Sequence, residues 1–179
     1  MRELGAKYVG QPVPRREDKR LLVGEGRYVA DLQLTNMVHV ALARSQVPHA
    51  RIAGVDLAAA RAAEGVVLAL DGTELRRAIE PISGMQVVTP KGWRDRVEHR
   101  FNIPSQPVLA HDKVRYVGEP YALVVAADRY LAEDAAELIE ARFDPLPTVA
   151  DVETALTPGA AMLHDDVEGN VAAFMHVTK

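Results

Sequence analysis

The chain contains no cysteine. Disulfides, thiolate zinc sites and cysteine-held iron–sulfur clusters are therefore excluded from this polypeptide, and any such centre must sit on another one. Aromatic residues make up only 5% of the sequence. The single tryptophan, Trp93, lies among charges in KGWRDR, a setting that suits an interface as well as a core. No run approaches the roughly 18 apolar residues of a membrane span, and the opening MRELGAKYVG lacks the apolar stretch of a secretory leader, so a cytoplasmic location is expected. The net charge of -4, with both signs interspersed, leaves no basic stripe for phosphates. Nucleic acid is accordingly not an expected partner.

Several catalytic motifs are also missing. The glycine turns VGEGRYV and VGEP fit neither a dinucleotide fingerprint nor a P-loop, and no G-x-S-x-G accompanies the three serines Ser45, Ser83 and Ser105. The histidines at 39, 49, 99, 111, 164 and 176 show no H-x-x-x-H spacing. The tightest acid–histidine groups, His111-Asp112 and His164-Asp165-Asp166, read as solvated turns because adjacent side chains diverge. His49, before a strand, reads as a structural hydrogen-bonding residue. A biotin- or lipoyl-type carrier would need a lysine at a hairpin tip; Lys91 is the one near such a turn, and its neighbours do not match.

What is present is a soluble globular composition, 48% hydrophobic and 26% charged over 179 residues, enough for one domain with extended ends. Residues 1–20 carry Gly5, Gly10, Pro12 and Pro14 without a period and predict an extended arm. Strands are expected at RYVADL and MVHVALARS. In ARIAGVDLAAARAAEGVVLAL, Asp56 is a good N-cap and Gly65 a good stop around an alanine-rich helix between two strands. Asp71-Gly72-Thr73-Glu74 fits a capping box that opens a second short helix through about Ile79. Residues 80–106 keep no period and predict a long loop that is functional or packs on another chain.

Two strands then flank Gly118-Glu119-Pro120. Asp128 caps a helix with an apolar face of Leu131, Ala135, Leu138 and Ile139, a strand follows at ARF, and Asp151 caps a last short helix. The class is α+β, with mixed sheets and short helices in two strand-helix-strand units. Glu119 is the one carboxylate inserted between well-formed strands. Glycine permits positive φ and proline cannot donate to a ladder, so the triplet predicts a tight break, with Glu119 exposed or paired with a nearby arginine such as Arg115.

Four stretches, RREDKRLLVGEGRYVADLQL, VHVALARSQVPHARIAGVDLAAARAAEGVVLAL, KVRYVGEPYALVVAADRYLAEDAAELIEARFDPLPTV and PGAAMLHDDVEGN, resemble the N-terminal region of molybdenum-binding large subunits. The family is that of xanthine dehydrogenase, aldehyde oxidase and carbon monoxide dehydrogenase, in its carbon monoxide dehydrogenase-like branch. The resemblance runs from about Gly10 to Asn170. It implies an α/β-hammerhead over residues 21–170, with 171–179 beginning a linker to a molybdenum-binding domain, and Gly118, Glu119 and Pro120 as a structural motif of that fold. Gln46-Val47-Pro48 and Tyr121 depart from the family pattern. By the register of PVLAHDKV, Phe101, Asn102 and Ile103 correspond to the segment that helps line the substrate channel, although the family's hydrophobic pair is here Asn102-Ile103.

The family hydroxylates carbon with water-derived oxygen, or oxidises carbon monoxide, at a molybdenum–pterin centre. No catalytic or cofactor-binding residue of that chemistry has a counterpart in this sequence. The resemblance therefore implies a chain inactive alone, with molybdenum–pterin cofactor, iron–sulfur clusters and FAD belonging to the complete enzyme. Its partners would be a molybdenum-binding domain or subunit, an iron–sulfur subunit and an FAD subunit. The alternative is a free-standing assembly or ligand-binding module that keeps the fold without the enzyme.

Overall fold

The computed structural model describes residues 10–82, 97–102 and 104–177. The chain divides into two compact units, Met1–Met37 and Val38–Lys179. In the first, helix α1 (Asp18–Leu22) buries no residue. The strand expected at RYVADL is instead a 3₁₀ turn over Val29–Asp31. Its cause is local: the Asp31 carboxylate accepts the Tyr28 amide at 2.9 Å and closes the turn, where a strand would have needed a neighbour to pair with.

Among the described residues the second unit has three antiparallel sheets. Strands β1 (His39–Arg44), β2 (Ala50–Asp56), β3 (Val66–Asp71), β4 (Val97–Phe101), β5 (Lys113–Val114), β6 (Pro120–Ala126), β7 (Glu140–Pro145) and β8 (Ala173–Val177) pair in the orders β1-β6-β3, β5-β2-β7 and β4-β8. Helix α2 (Ala58–Ala62) follows β2, α3 (Gly72–Leu75) follows β3, α4 (Arg129–Glu137) follows β6 and α5 (Val152–Ala155) follows β7. The two strand-helix-strand units are therefore β2-α2-β3 and β6-α4-β7. Each changes sheet across its helix, so that β3 pairs with β6 and β2 with β7. The two units interlock.

The helix caps follow from the sequence. Asp71 Oδ1 accepts the Glu74 amide at 2.7 Å while Glu74 Oε2 accepts the Asp71 amide at 3.3 Å, a reciprocal box that satisfies two otherwise orphan donors. Asp128 Oδ1 accepts the Leu131 amide, and Asp151 Oδ1 accepts those of Glu153 and Thr154. At α2 the N-cap is Leu57, one residue after the expected Asp56, because the helix starts only at Ala58; the Asp56 carboxylate accepts the Ala58 amide at 2.8 Å, and Gly65 reverses the chain at φ +74°.

Helices α2 and α4 meet the first sheet through small residues. Ala60, Ala132 and Ala135 are buried against a sheet face carrying Ala43, Ala69, Ala122, Val124 and Ala126. Ala132 takes the place expected of Leu138, which is 46% exposed; small side chains let the helix sit close to the sheet. The core continues between the sheets through Ala50, Val114, Ile139 and Tyr121, whose ring meets Phe143 edge-on at 5.4 Å.

Candidate functional site

Gly118, Glu119 and Pro120 form the tight break that their chemistry predicts. Gly118 adopts φ +91°, a conformation that costs any residue with a Cβ, and Pro120 is the first residue of β6. The break is locked to the end of β1: the Gly118 amide donates to the Ser45 carbonyl at 2.8 Å and the Ser45 amide to the Glu119 carbonyl at 2.9 Å. Arg44 Nη1 donates to the Gly118 carbonyl at 2.9 Å. The register slips there, Ala43 facing Ala122 and Arg44 facing Pro120, so Tyr121 is the extra residue of a bulge.

The Glu119 side chain turns inward and is 7% exposed. Its Oε2 accepts the Arg115 backbone amide, and Oε1 lies 3.6 Å from Arg115 Nη1. Of the two outcomes open for Glu119, pairing with Arg115 is the one the structure adopts. Burial pushes its carboxyl above the usual range, and the Arg115 amide and guanidinium only partly offset this.

Arg115 is the hub of a wider clasp. Its Nε donates to the Leu163 carbonyl at 3.2 Å, Nη1 to the Lys113 carbonyl at 2.9 Å, and Nη2 lies 3.3 Å from Asp112 Oδ1. Burial works against the Asp112 carboxylate, but the Lys113 amide, Arg115 and His111 outweigh it and hold its pKa below the usual value. Lys113 is almost wholly buried, with Nζ 2.9 Å from Asp165 Oδ1 and 3.3 Å from the Met162 carbonyl. The Lys113 ammonium holds the Asp165 carboxyl below its ordinary range. Asn170 completes the clasp, accepting from the Leu163 amide and donating to the Ala155 and Ala161 carbonyls.

The segment 160–170 is thus strapped onto β5 and the Gly-Glu-Pro break. This corrects the reading of His164-Asp165-Asp166 as a merely solvated turn: Asp165 pairs with Lys113, and Asp166 Oδ2 accepts the Ser105 amide at 2.6 Å. His164 is half-buried with Nδ1 unpartnered; burial first, then Arg115, pushes its pKa down. A cavity of about 300 Å³ opens beside the clasp, lined by Val108, Arg115, Tyr116, Glu119, Pro120 and His164 among others. The sequence does not mark Lys113 and Arg115 as the anchors of segment 160–170. The signal available was the acidic pair at 165–166, whose cation lies far away in sequence.

The histidine read as structural, His49, is 3% exposed, with Nδ1 2.7 Å from the Pro147 carbonyl. Strand β4 corrects the expectation of a long loop over 80–106: Val97–Phe101 pairs with β8, which lies within the stretch expected to begin a linker. Neither strand alternates strongly, so each is recognisable only through the other. Phe101 ends β4 opposite Ala173. Asn102 follows it, its amide donating to the Ala172 carbonyl and Nδ2 to the Val171 carbonyl, both at 2.9 Å. Ile103, Lys91 and Trp93 lie outside the described residues. Among the described residues no three His, Asp or Glu side chains gather as a metal site, and no helix is long and apolar enough to cross a membrane.

Residues 23–147 match the family described as aldehyde oxidase and xanthine dehydrogenase, a/b hammerhead domain. The 6-hydroxypseudooxynicotine dehydrogenase complex subunit gamma of Paenarthrobacter nicotinovorans is 40% identical over 150 residues, covering 84% of this chain and 18% of that one. The carbon monoxide dehydrogenase large chain of Afipia carboxidovorans is 36% identical over 154 residues, 86% of this chain and 17% of the relative. The crystal structure of quinoline 2-oxidoreductase from Pseudomonas putida 86 superposes with a TM-score of 0.75 at 44% identity, covering 89% of this chain and 19% of that one. The chain spans less than a fifth of the length of these relatives.

Proposed function

Because the chain belongs to the aldehyde oxidase and xanthine dehydrogenase a/b hammerhead family, we propose that it is the hammerhead portion of a molybdenum-dependent hydroxylase or dehydrogenase large subunit. It packs on the catalytic domains, helps shape the substrate channel and is inactive alone. The observation that carries this reading is the match to a dehydrogenase-complex subunit at 40% identity across 84% of the chain. The clasp supports it from the chemical side: Glu119, the one carboxylate inserted between well-formed strands, is spent on Arg115 and holds a turn.

The complete enzyme carries molybdenum–pterin cofactor, iron–sulfur clusters and FAD in this reading. This chain has no cysteine to ligate iron–sulfur clusters, and among its described residues no three His, Asp or Glu side chains gather as a metal site. The cofactors are therefore assigned to a molybdenum-binding domain or subunit, an iron–sulfur subunit and an FAD subunit, in a cytoplasmic assembly. The channel contribution is assigned to Phe101, the last residue of β4, to Asn102 after it, and to Ile103.

The test is affinity purification of the tagged chain from its native host, with molybdenum, iron and flavin measured in what co-purifies. The expected result is a large polypeptide bearing molybdenum, with activity in the complex and none in the chain alone. If the chain comes alone and metal-free, the enzyme reading fails. The cavity beside His164 and Arg115 then becomes the place to look for the ligand of a free-standing module.

A further inference from the structure

Strand register places six aliphatic residues on the side of the β1-β6-β3 sheet opposite its helices. Residues directly opposite across a ladder share a face. Val40 faces Val125, which faces Leu68; Leu42 faces Leu123, which faces Leu70. The result is a grid three strands wide and two residues deep with no polar side chain in it. The alternate residues, Ala43, Ala69, Ala122, Val124 and Ala126, are the ones buried under α2 and α4. The grid itself stays open: Val40, Leu42 and Leu68 are 59%, 37% and 44% exposed, and the other three are half-buried. Mostly alanines thus face the chain's own helices, while valines and leucines face outward. A sheet face that met only water would alternate to polar residues instead.

Size decides what covers the face. With strands about 4.8 Å apart and alternate residues about 7 Å apart, the grid spans on the order of 200 Å². A stable association of two separate proteins buries about 800 Å² on each partner. The grid is too small to hold a second copy of this chain by itself, so its occupant must be secured by further contacts. The relatives supply such an occupant, because this region is less than a fifth of each of them.

We infer that the open face of the β1-β6-β3 sheet, centred on Leu123 and Val125, is the surface on which the rest of the molybdenum-binding large subunit packs. This rests on the function proposed above and adds to it the place of contact. The occupant presents an apolar element that completes a second layer over the sheet, as a half-covered sheet with an apolar open face requires.

The experiment uses the tagged chain purified from its host with its complex, comparing Val40→Lys and Leu68→Lys, both at exposed positions, with Tyr130→Lys, an apolar residue 75% exposed on α4 outside the grid. Circular dichroism and melting of the isolated variants check the fold. Val40→Thr and Leu68→Thr serve as gentler versions if lysine prevents folding. The expected result is at least a tenfold loss of co-purifying molybdenum and of the large polypeptide, identified by mass spectrometry, in the grid variants, with Tyr130→Lys unaffected. Undiminished recovery in folded grid variants overturns the surface while leaving the proposed function standing. Failure of the unaltered chain to bring down any molybdenum polypeptide defeats the function itself. A dimer by light scattering that Val40→Lys or Leu68→Lys abolishes makes the occupant a second copy, which also overturns the inference.

Discussion

At the scale of single residues, Glu119 shows how charge and hydrogen bonding can be separated. Its carboxylate caps the Arg115 amide and neutralises a guanidinium, yet burial raises its pKa, so ionisation in the fold is costly. The native chain keeps the Glu119 proton above the ordinary value of 4.5, and the stability attached to this group is lost as pH rises through its raised pKa. Glu119→Gln removes that cost while keeping an acceptor for the amide. Its expected penalty at neutral pH is below about 1 kcal/mol, whereas Glu119→Ala strands a buried donor and part of a cation and should cost about 2–3 kcal/mol. Urea midpoints of the two variants check this ordering; equal losses would contradict it. His164 works in the opposite direction. Its pKa lies below 6.5 because burial and Arg115, with Lys113, outweigh Asp166 and Asp112. The folded chain therefore binds fewer protons than the unfolded one, and stability falls as pH drops through 6.5 toward the depressed value. Melting curves across that window should show the slope in the native chain and its loss in His164→Gln.

Among the elements, the segment 160–170 has no helix or strand of its own and is held by side chains from β5 and the residues around it. Lys113 gives the sharpest prediction. Removing Asp165 leaves a buried ammonium with the Met162 carbonyl as its remaining partner, whereas Lys113→Met removes the charge and keeps a stem of similar length. Asp165→Ala should therefore destabilise more than Lys113→Met, by about 1–3 kcal/mol, and speed proteolysis within 160–170. Equal urea midpoints for the two would refute it. The same elements show what a sequence can disclose. The caps at Asp71, Asp128 and Asp151 and the break at Gly118-Glu119-Pro120 are local devices, a side chain reaching an amide a few residues away, and all were readable. The crossing of each strand-helix-strand unit between sheets was not, nor were the β4-β8 pair and the Lys113–Asp165 bond. Each of these depends on partners distant in the chain, and a two-residue strand such as β5 carries no period at all. Of the channel candidates, Asn102 could be followed to a bond with Val171, a partner that nothing near it in sequence marks.

For the molecule as a whole, the distribution of burial sets what can be removed. Among the described residues every buried hydrophobic residue of the core lies at Ala43 or beyond, and among residues 10–37 none is buried. The hydrophobic effect that offsets chain entropy is proportional to apolar area taken from water, so nearly all of it is generated within Val38–Lys179. A chain beginning at Val38 should then unfold in one cooperative transition with a urea midpoint close to that of the full sequence. Its m-value should be almost unchanged, because m follows the surface exposed on unfolding and residues 10–37 contribute little buried surface to it. A large fall in midpoint or a broadened transition would mean that the first unit stabilises the second. If the midpoint holds, Met1–Met37 has no part in the stability of the domain, and under the proposed function the exposed Leu22, Val23, Tyr28 and Val29 would be covered by the rest of a large subunit. The shortened chain, carried through the same purification from the host, then gives the second readout: recovery of the molybdenum polypeptide should drop while the fold of the domain stands.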